Sequence, residues 1–161
     1  MSETKRLVFL HGLISNSQGV KARLLREQFP DILTPDFSGS LEERMASLYL
    51  ILGEQGGWTI IGSSFGGLMA TIFACERPRQ VEKLVLLAPA LIWPDFVNAL
   101  PAPLDIPTVI YHGTRDEHIP LDAVHHIASQ LFTNLDFRTV DDDHGLYPTV
   151  HGIDWPRLIG G

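Results

Sequence analysis

Short apolar runs recur along the chain, and between them lie longer stretches in which apolar residues return every three or four positions. The runs are Leu7–Leu10, Ile32–Thr34, Thr59–Ile61, Lys83–Leu87, Thr108–Tyr111 and Leu135–Val140. Near-continuous apolar runs, rather than alternating ones, suit strands buried on both faces, as in a parallel sheet covered by helices. The intervening stretches read as helices. Val20–Phe29 and Phe65–Glu76 carry helical spacing, and Ser40 with Glu43 forms a Ser-x-x-Glu capping box ahead of Leu41, Met45, Leu48, Tyr49 and Leu52. Pro120 stands where the first turn of a helix tolerates proline, with Leu121, Val124, Ala128 and Leu131 as its inner stripe. This alternation predicts one α/β domain over residues 1–161. The expected architecture is a three-layer sandwich with about six parallel strands in the order 2-1-3-4-5-6 and helices on both faces.

Two segments break the rhythm. Leu91–Ile106 contains Pro94, Pro101 and Pro103, which prevent a long regular element. After His144, the residues Gly145, Pro148, Gly152 and Pro156 are expected to interrupt any helix.

Composition narrows the function classes. The 161 residues are 45% apolar and 19% charged, which suits a packed core rather than a disordered chain. The formal net charge of −7, with no basic cluster beyond the mixed Lys21–Arg26 stretch, argues against a nucleic-acid partner. One cysteine, Cys75, excludes an intrachain disulfide and suits a reducing compartment. No apolar run approaches the ~20 residues needed to cross a bilayer, so no membrane association and a cytoplasmic location are expected. The N-terminal residues resemble no signal peptide.

The most specific motif is Gly62-Ser63-Ser64-Phe65-Gly66-Gly67, between an apparent strand and an apparent helix. A serine hydroxyl becomes a useful nucleophile when a sharp turn lifts it clear of the sheet, and such a turn needs small residues two positions before and after it. Ser64 meets that condition through Gly62 and Gly66, whereas Ser63 would place Ile61 and Phe65 there. The bland reading of the same residues is a plain strand-to-helix turn.

A nucleophilic serine also needs a base and an orienting carboxylate, and in a parallel sheet these belong just past the carboxyl ends of strands. Asp116 follows the Thr108–Tyr111 run, and His144 follows Leu135–Val140. The order Ser64, Asp116, His144 is that of one serine-hydrolase lineage. His151 in the tail is the rival base, Asp95 the rival acid, and Asp141, Asp142 and Asp143 are either a solvated turn or a support for His144. His11 and His112, each before a glycine at a strand end, are expected to fix loops by hydrogen bonds. His125, His126 and Asp122 show no recurring ligand spacing, so no metal and no cofactor is expected. Cys75 reads as a core residue.

With these residues in view, the chain resembles the α/β-hydrolases, in particular their compact, capless esterase members such as the small YqiA-like esterases. The resemblance runs from Leu7 to about Leu146. It rests on Phe9-Leu10-His11-Gly12, the Gly62–Gly67 motif, Leu86-Leu87-Ala88-Pro89-Ala90, His112-Gly113-Thr114-Arg115-Asp116 with Ile119-Pro120, and Asp143-His144. It implies an oxyanion hole made by the backbone N–H groups of Leu13 and Phe65. The chain lacks the leading antiparallel strands of larger members and holds only Leu91–Ile106 where a cap would be inserted. An open, shallow site is therefore expected, with Leu91, Trp93 and Phe96 as an acyl pocket or flap, or else as a satellite hydrophobic cluster.

The function expected is hydrolysis of a small-molecule ester with a small, fairly apolar acyl group, through an acyl-enzyme on Ser64, His144 and Asp116. A thioesterase or acyltransferase on the same site, or a non-catalytic binding protein of the same shape, are the alternatives.

Overall fold

The computed structural model describes residues 5–160. Five parallel strands form one sheet: β1 (Arg6–Leu10), β2 (Trp58–Ser63), β3 (Val81–Leu87), β4 (Thr108–Gly113) and β5 (Leu135–Val140), side by side in that order. Successive side chains of a strand point to opposite faces, so each strand feeds two cores. Val8, Leu10, Ile60, Leu84, Leu86 and Ile110 face one side. They pack there against α2 (Leu41–Leu52), α3 (Phe65–Glu76) and α5 (Leu121–Leu131). Leu7, Phe9, Ile61, Val85, Leu87, Val109 and Tyr111 face the other side, under α1 (Val20–Gln28) and the C-terminal segment. The result is the expected three-layer sandwich.

The helix signals behave as capping chemistry predicts. Ser40 Oγ accepts from Glu43 N–H at 3.1 Å while Glu43 Oε1 accepts from Ser40 N–H at 3.2 Å, closing both halves of the box at the start of α2.

Three details differ from the reading of the sequence. The run 32–34 is not a full strand. Leu33 makes a single parallel bridge to Val8, with Phe9 N–H donating to Leu33 O at 2.8 Å and Leu33 N–H to Leu7 O at 3.0 Å. Pro35 has no N–H with which to extend the ladder. The sheet therefore has five strands plus this bridge on the outer side of β1, which keeps the predicted spatial order. Second, β5 is an edge strand with a half-exposed, alternating surface rather than a fully buried one. Arg138 and Asp136 pair on it at 2.8 Å, and such charges protect an open edge from pairing with other chains.

Third, the tail forms two short helices, α6 (Tyr147–Gly152) and α7 (Trp155–Gly160). Pro148 and Pro156 sit in their first turns, where the missing N–H is not needed, so the prolines begin helices instead of interrupting one. Trp155 is buried and its indole N–H donates to Val150 O at 3.0 Å. Lys5 Nζ donates to the Ile159 carbonyl at 2.7 Å and Lys83 Nζ to that of Leu158. These contacts fasten the tail over the second core.

Between β3 and β4, α4 (Pro94–Val97) is a single turn. Leu91, Phe96, Leu104 and Ile106 from this stretch are buried in the core on the α2–α3 side.

Close packing at one point sets the geometry of the strand ends. A Cβ built on Gly66, in the first turn of α3, would overlap the Leu10 carbonyl and lie 2.7 Å from the His11 carbonyl oxygen; one on Gly62 would lie 2.5 Å from Gly66 O. Gly66→Ala is expected to lower stability by about 3 kcal/mol, the upper range for overpacking, because the ~1 kcal/mol gained in helix propensity cannot offset a backbone clash. Urea unfolding measures it, and a variant as stable as the parent would show that the two backbones can separate.

Candidate active site

The carboxyl ends of β1, β2, β4 and β5 open onto one groove of about 540 Å³, with Gly12, Leu13, Ser64, His118 and His144 among its lining. Ser64 joins β2 directly to α3, with φ 54° and ψ −114°. A non-glycine residue held at positive φ costs on the order of 1–3 kcal/mol and needs surroundings that enforce it. Here Ser64 N–H donates to Leu87 O at 2.9 Å, and Ser64 O accepts from Ala90 N–H at 2.9 Å and from Gly67 N–H at 2.9 Å. The turn is pinned to the end of β3 on one side and to its own helix on the other.

His144 follows β5 and Asp116 follows β4. His144 Nε2 lies 3.1 Å from Ser64 Oγ, and His144 Nδ1 lies 2.7 Å from Asp116 Oδ2. The carboxylate can only accept, so Nδ1 carries the proton and Nε2 is left to accept from the serine hydroxyl. Asp116 has no solvent-exposed side chain, while His144 is 24% exposed. The other carboxylate oxygen, Oδ1, accepts from His118 N–H at 2.9 Å and Ile119 N–H at 2.8 Å. Burial pushes the Asp116 pKa up, but the Ile119 amide, the His144 ring and the His118 amide together outweigh it and hold the group below its ordinary range. It therefore stays ionised at neutral pH.

The loops bearing these residues are locked by other groups. Asp142, nearly fully buried, accepts from Asp143 N–H at 2.7 Å, Thr149 N–H at 3.2 Å and Thr149 Oγ1–H at 2.7 Å, tying the His144 loop to α6. Asp141 is exposed and pairs with Arg115 at 2.9 Å. Of the three consecutive aspartates, the middle one supports the histidine loop. His11 Nδ1–H donates to Gly12 O at 2.7 Å and its Nε2 accepts from Phe37 N–H at 2.9 Å. His112 Nε2–H donates to Ile119 O at 2.9 Å, and burial draws its pKa down, keeping it neutral. Both histidines fix loops.

Leu13 lines the groove, and Phe65 is the first residue of α3, where backbone N–H groups have no partner within the helix. Among the described residues neither N–H donates to a main-chain acceptor. Buried Arg44 braces both residues: its Nη2 donates to Leu13 O at 3.3 Å, its Nε to Gly39 O at 3.0 Å, and its guanidinium carbon lies 5.3 Å from the centre of the Phe65 ring.

Other sequence candidates lie elsewhere. Leu91 and Phe96 point into the core because this proline-rich segment completes the apolar face over α3, so they do not line the groove at Ser64. Trp93 packs edge-on against Phe65 with ring centres 5.3 Å apart and does not line it either. Asp95 sits in α4, against a separate hollow beside Phe96 and Cys75. His151 turns back onto its own helix, its Nδ1 2.6 Å from Tyr147 O. Burial raises the Cys75 thiol to about 11, so it is un-ionised and unreactive at neutral pH. Among the described residues, no cluster of three or more His, Cys, Asp or Glu side chains could hold a metal, and no helix is long and apolar enough to cross a membrane.

No sequence model of a known family matches the chain, and no curated protein matches it by sequence. Solved structures do match by shape. The α/β hydrolase domain-containing protein 10 from mouse superposes with a TM-score of 0.75 at 19% identity, covering 94% of this chain and 87% of that one. Est1E from Butyrivibrio proteoclasticus, in a structure with ferulic acid bound, gives a TM-score of 0.75 at 15% identity over 97% of this chain and 89% of that one. The esterase PF2001 from Pyrococcus furiosus gives 0.72 at 15% identity, covering 97% and 80%.

The chain has the α/β-hydrolase fold. Within this fold, the strand-to-helix turn at Ser64 and the loops after β4 and β5 are the parts that meet at the groove. Of the two readings the sequence left for the aspartate run, Asp142 takes the supporting one and Asp141 the solvated one. Sequence reasoning missed Arg44 as a brace, and Ile14, Lys21, His118 and Tyr147 as groove residues. Of these, only Lys21 left a local signal: a cation in the first turn of a helix opposes the helix dipole.

Proposed function

We propose that the chain is a serine hydrolase, acting as one domain, that cleaves carboxylic esters of small, fairly apolar acyl groups through an acyl-enzyme. The observation that carries this reading is the unbroken relay from Ser64 Oγ to His144 Nε2 at 3.1 Å and from His144 Nδ1 to Asp116 Oδ2 at 2.7 Å. Ser64 Oγ attacks the ester carbonyl carbon as His144 Nε2 takes its proton. Asp116 keeps the ring in the right tautomer and balances the imidazolium without taking the proton itself. The carbonyl oxygen becomes an oxyanion that accepts from the N–H groups of Leu13 and Phe65, each donor contributing about 10²–10³ in rate. Collapse of the adduct breaks the bond to the alcohol, which leaves with the proton from His144. Water then attacks the acyl-enzyme by the same route and frees the acid.

Support for an apolar substrate comes from the mouth of the groove, where Leu13, Ile14, Val20 and Tyr147 all expose apolar surface. A fluorophosphonate probe is the direct test. The expected result is one covalent adduct per chain, mapped to Ser64 and absent after active-site blocking with phenylmethylsulfonyl fluoride. A binding protein of the same shape leaves the probe unreacted, and that result would refute the enzymatic reading.

A further inference from the structure

The groove wall at Ser64 is sparsely charged, and Arg115, Asp116, Glu117 and Asp143 line an adjoining hollow that shares His118, His144, Gly145 and Tyr147 with it. The chain as a whole carries a formal charge of −7. Among the described residues that line the groove at Ser64, none is Asp or Glu, and Lys21 is the one lysine or arginine. Lys21 is half-buried in the first turn of α1, and its Nζ lies 4.8 Å from the centre of the Tyr147 ring. Among the described residues no carboxylate oxygen lies within 4.0 Å of it. The acidic groups that act on it are Asp142, whose two oxygens accept from Asp143 N–H and from Thr149, and Asp143, whose Oδ1 accepts from Gly145 N–H. Burial lowers the Lys21 pKa, and these two carboxylates oppose the shift.

Position within the helix adds to the same field. α1 has no acidic residue in its first turn, and its N-cap, Gly19, provides no side-chain acceptor. The partial positive charge of the helix start is thus left uncompensated beside a lysine. A cation there opposes the helix dipole, which is unfavourable for the free protein and favourable once an anion occupies the groove.

From this we infer that the groove selects esters that also bear a carboxylate, which Lys21 receives while the apolar body of the substrate lies against Tyr147, Val20 and Ile14. This rests on the hydrolase reading above and names the substrate class for that same site. The carboxylate belongs either to the acyl group, as in a dicarboxylic hemiester, or to the leaving alcohol, as in an ester of a hydroxy acid.

Two substrate pairs separate these cases. p-Nitrophenyl hemiglutarate against p-nitrophenyl acetate reads a charge on the acyl side, and 4-acetoxybenzoate against phenyl acetate reads one on the leaving side. Each kcat/KM is divided by the rate constant for hydroxide hydrolysis of the same ester. In one pair the wild-type protein is expected to favour the anionic member by about fivefold, the size of one partly exposed charge pair. Lys21→Met removes that preference and Lys21→Arg keeps it. Added sodium chloride erodes it in the wild type, because the groove is open to screening ions. If Lys21→Met fails to fold, the salt dependence of the wild-type ratio decides alone. Hydrolysis of the neutral esters with no anionic preference in either pair, or a preference that survives Lys21→Met, overturns the inference and leaves the hydrolase reading standing. Absence of both hydrolysis and fluorophosphonate labelling in the wild type sinks the two together.

Discussion

Ser64→Ala is expected to reduce turnover of p-nitrophenyl acetate by about 10⁴–10⁶, to the level left by substrate binding and the backbone donors alone. It removes a single oxygen, and the hydrogen bonds that pin the turn all come from the main chain of Ser64. Alanine has the same Cβ as serine, so the strain of φ 54° is the same in both. The melting temperature should therefore stay close to that of the parent, and covalent labelling by the fluorophosphonate should vanish. Retention of a tenth or more of the wild-type rate would mean that another group opens the ester. Cys75 is poorly suited to that role, since its thiol is held un-ionised by burial.

Asp116→Asn should reduce kcat by about 10⁴ through a change of tautomer rather than of position. Oδ1 of Asp116 accepts two backbone N–H groups, from His118 and Ile119. An asparagine must keep its carbonyl oxygen on that side, which turns its NH₂ toward His144 Nδ1. Two donors cannot face each other, so Nδ1 loses its proton and Nε2 gains one. The ring then has no lone pair to accept the Ser64 proton. Crystal coordinates of the variant should match the parent while the rate collapses. A rate within tenfold of wild type would show that the carboxylate is dispensable.

The same substitution has a pH signature. Because the folded Asp116 pKa lies below its ordinary value, its ionisation adds stability that is fully present above the unfolded value of about 3.9 and is lost as pH falls through the folded pKa. Thermal melts of the wild type should fall on acidification below about pH 4, and part of that fall should be missing in Asp116→Asn.

The meeting of Ser64, Asp116 and His144 was legible because parallel strands all end at one edge of a sheet, and each of these residues lies within four positions of a strand's carboxyl end. Local chemistry also marked the helices, as at the Ser40 box. Two of the differences between sequence expectation and structure have a local cause. Leu135-Asp136-Phe137-Arg138 alternates apolar with charged, which is the pattern of a half-exposed strand. Pro148 and Pro156 are compatible with helix starts as well as with breaks, and only the burial of Val150, Trp155 and Ile159 against the sheet decides between them. The groove wall had almost no signal. Tyr147 meets Lys21, and Arg44 reaches Leu13, across chain separations that no local pattern records. For the same reason Leu91, Trp93 and Phe96 could be placed near the site by topology, but not oriented.

The near-touching of Gly66 and the Leu10 carbonyl has a wider implication. The spacing between the loop after β1 and the start of α3 is gauged by a hydrogen atom against main chain, with no side chain acting as a spacer. Swapping aliphatic residues elsewhere in either core would thus leave that gap nearly constant. A lineage built on this frame is free to diverge widely in sequence while the end of β1 and the first turn of α3 keep their separation.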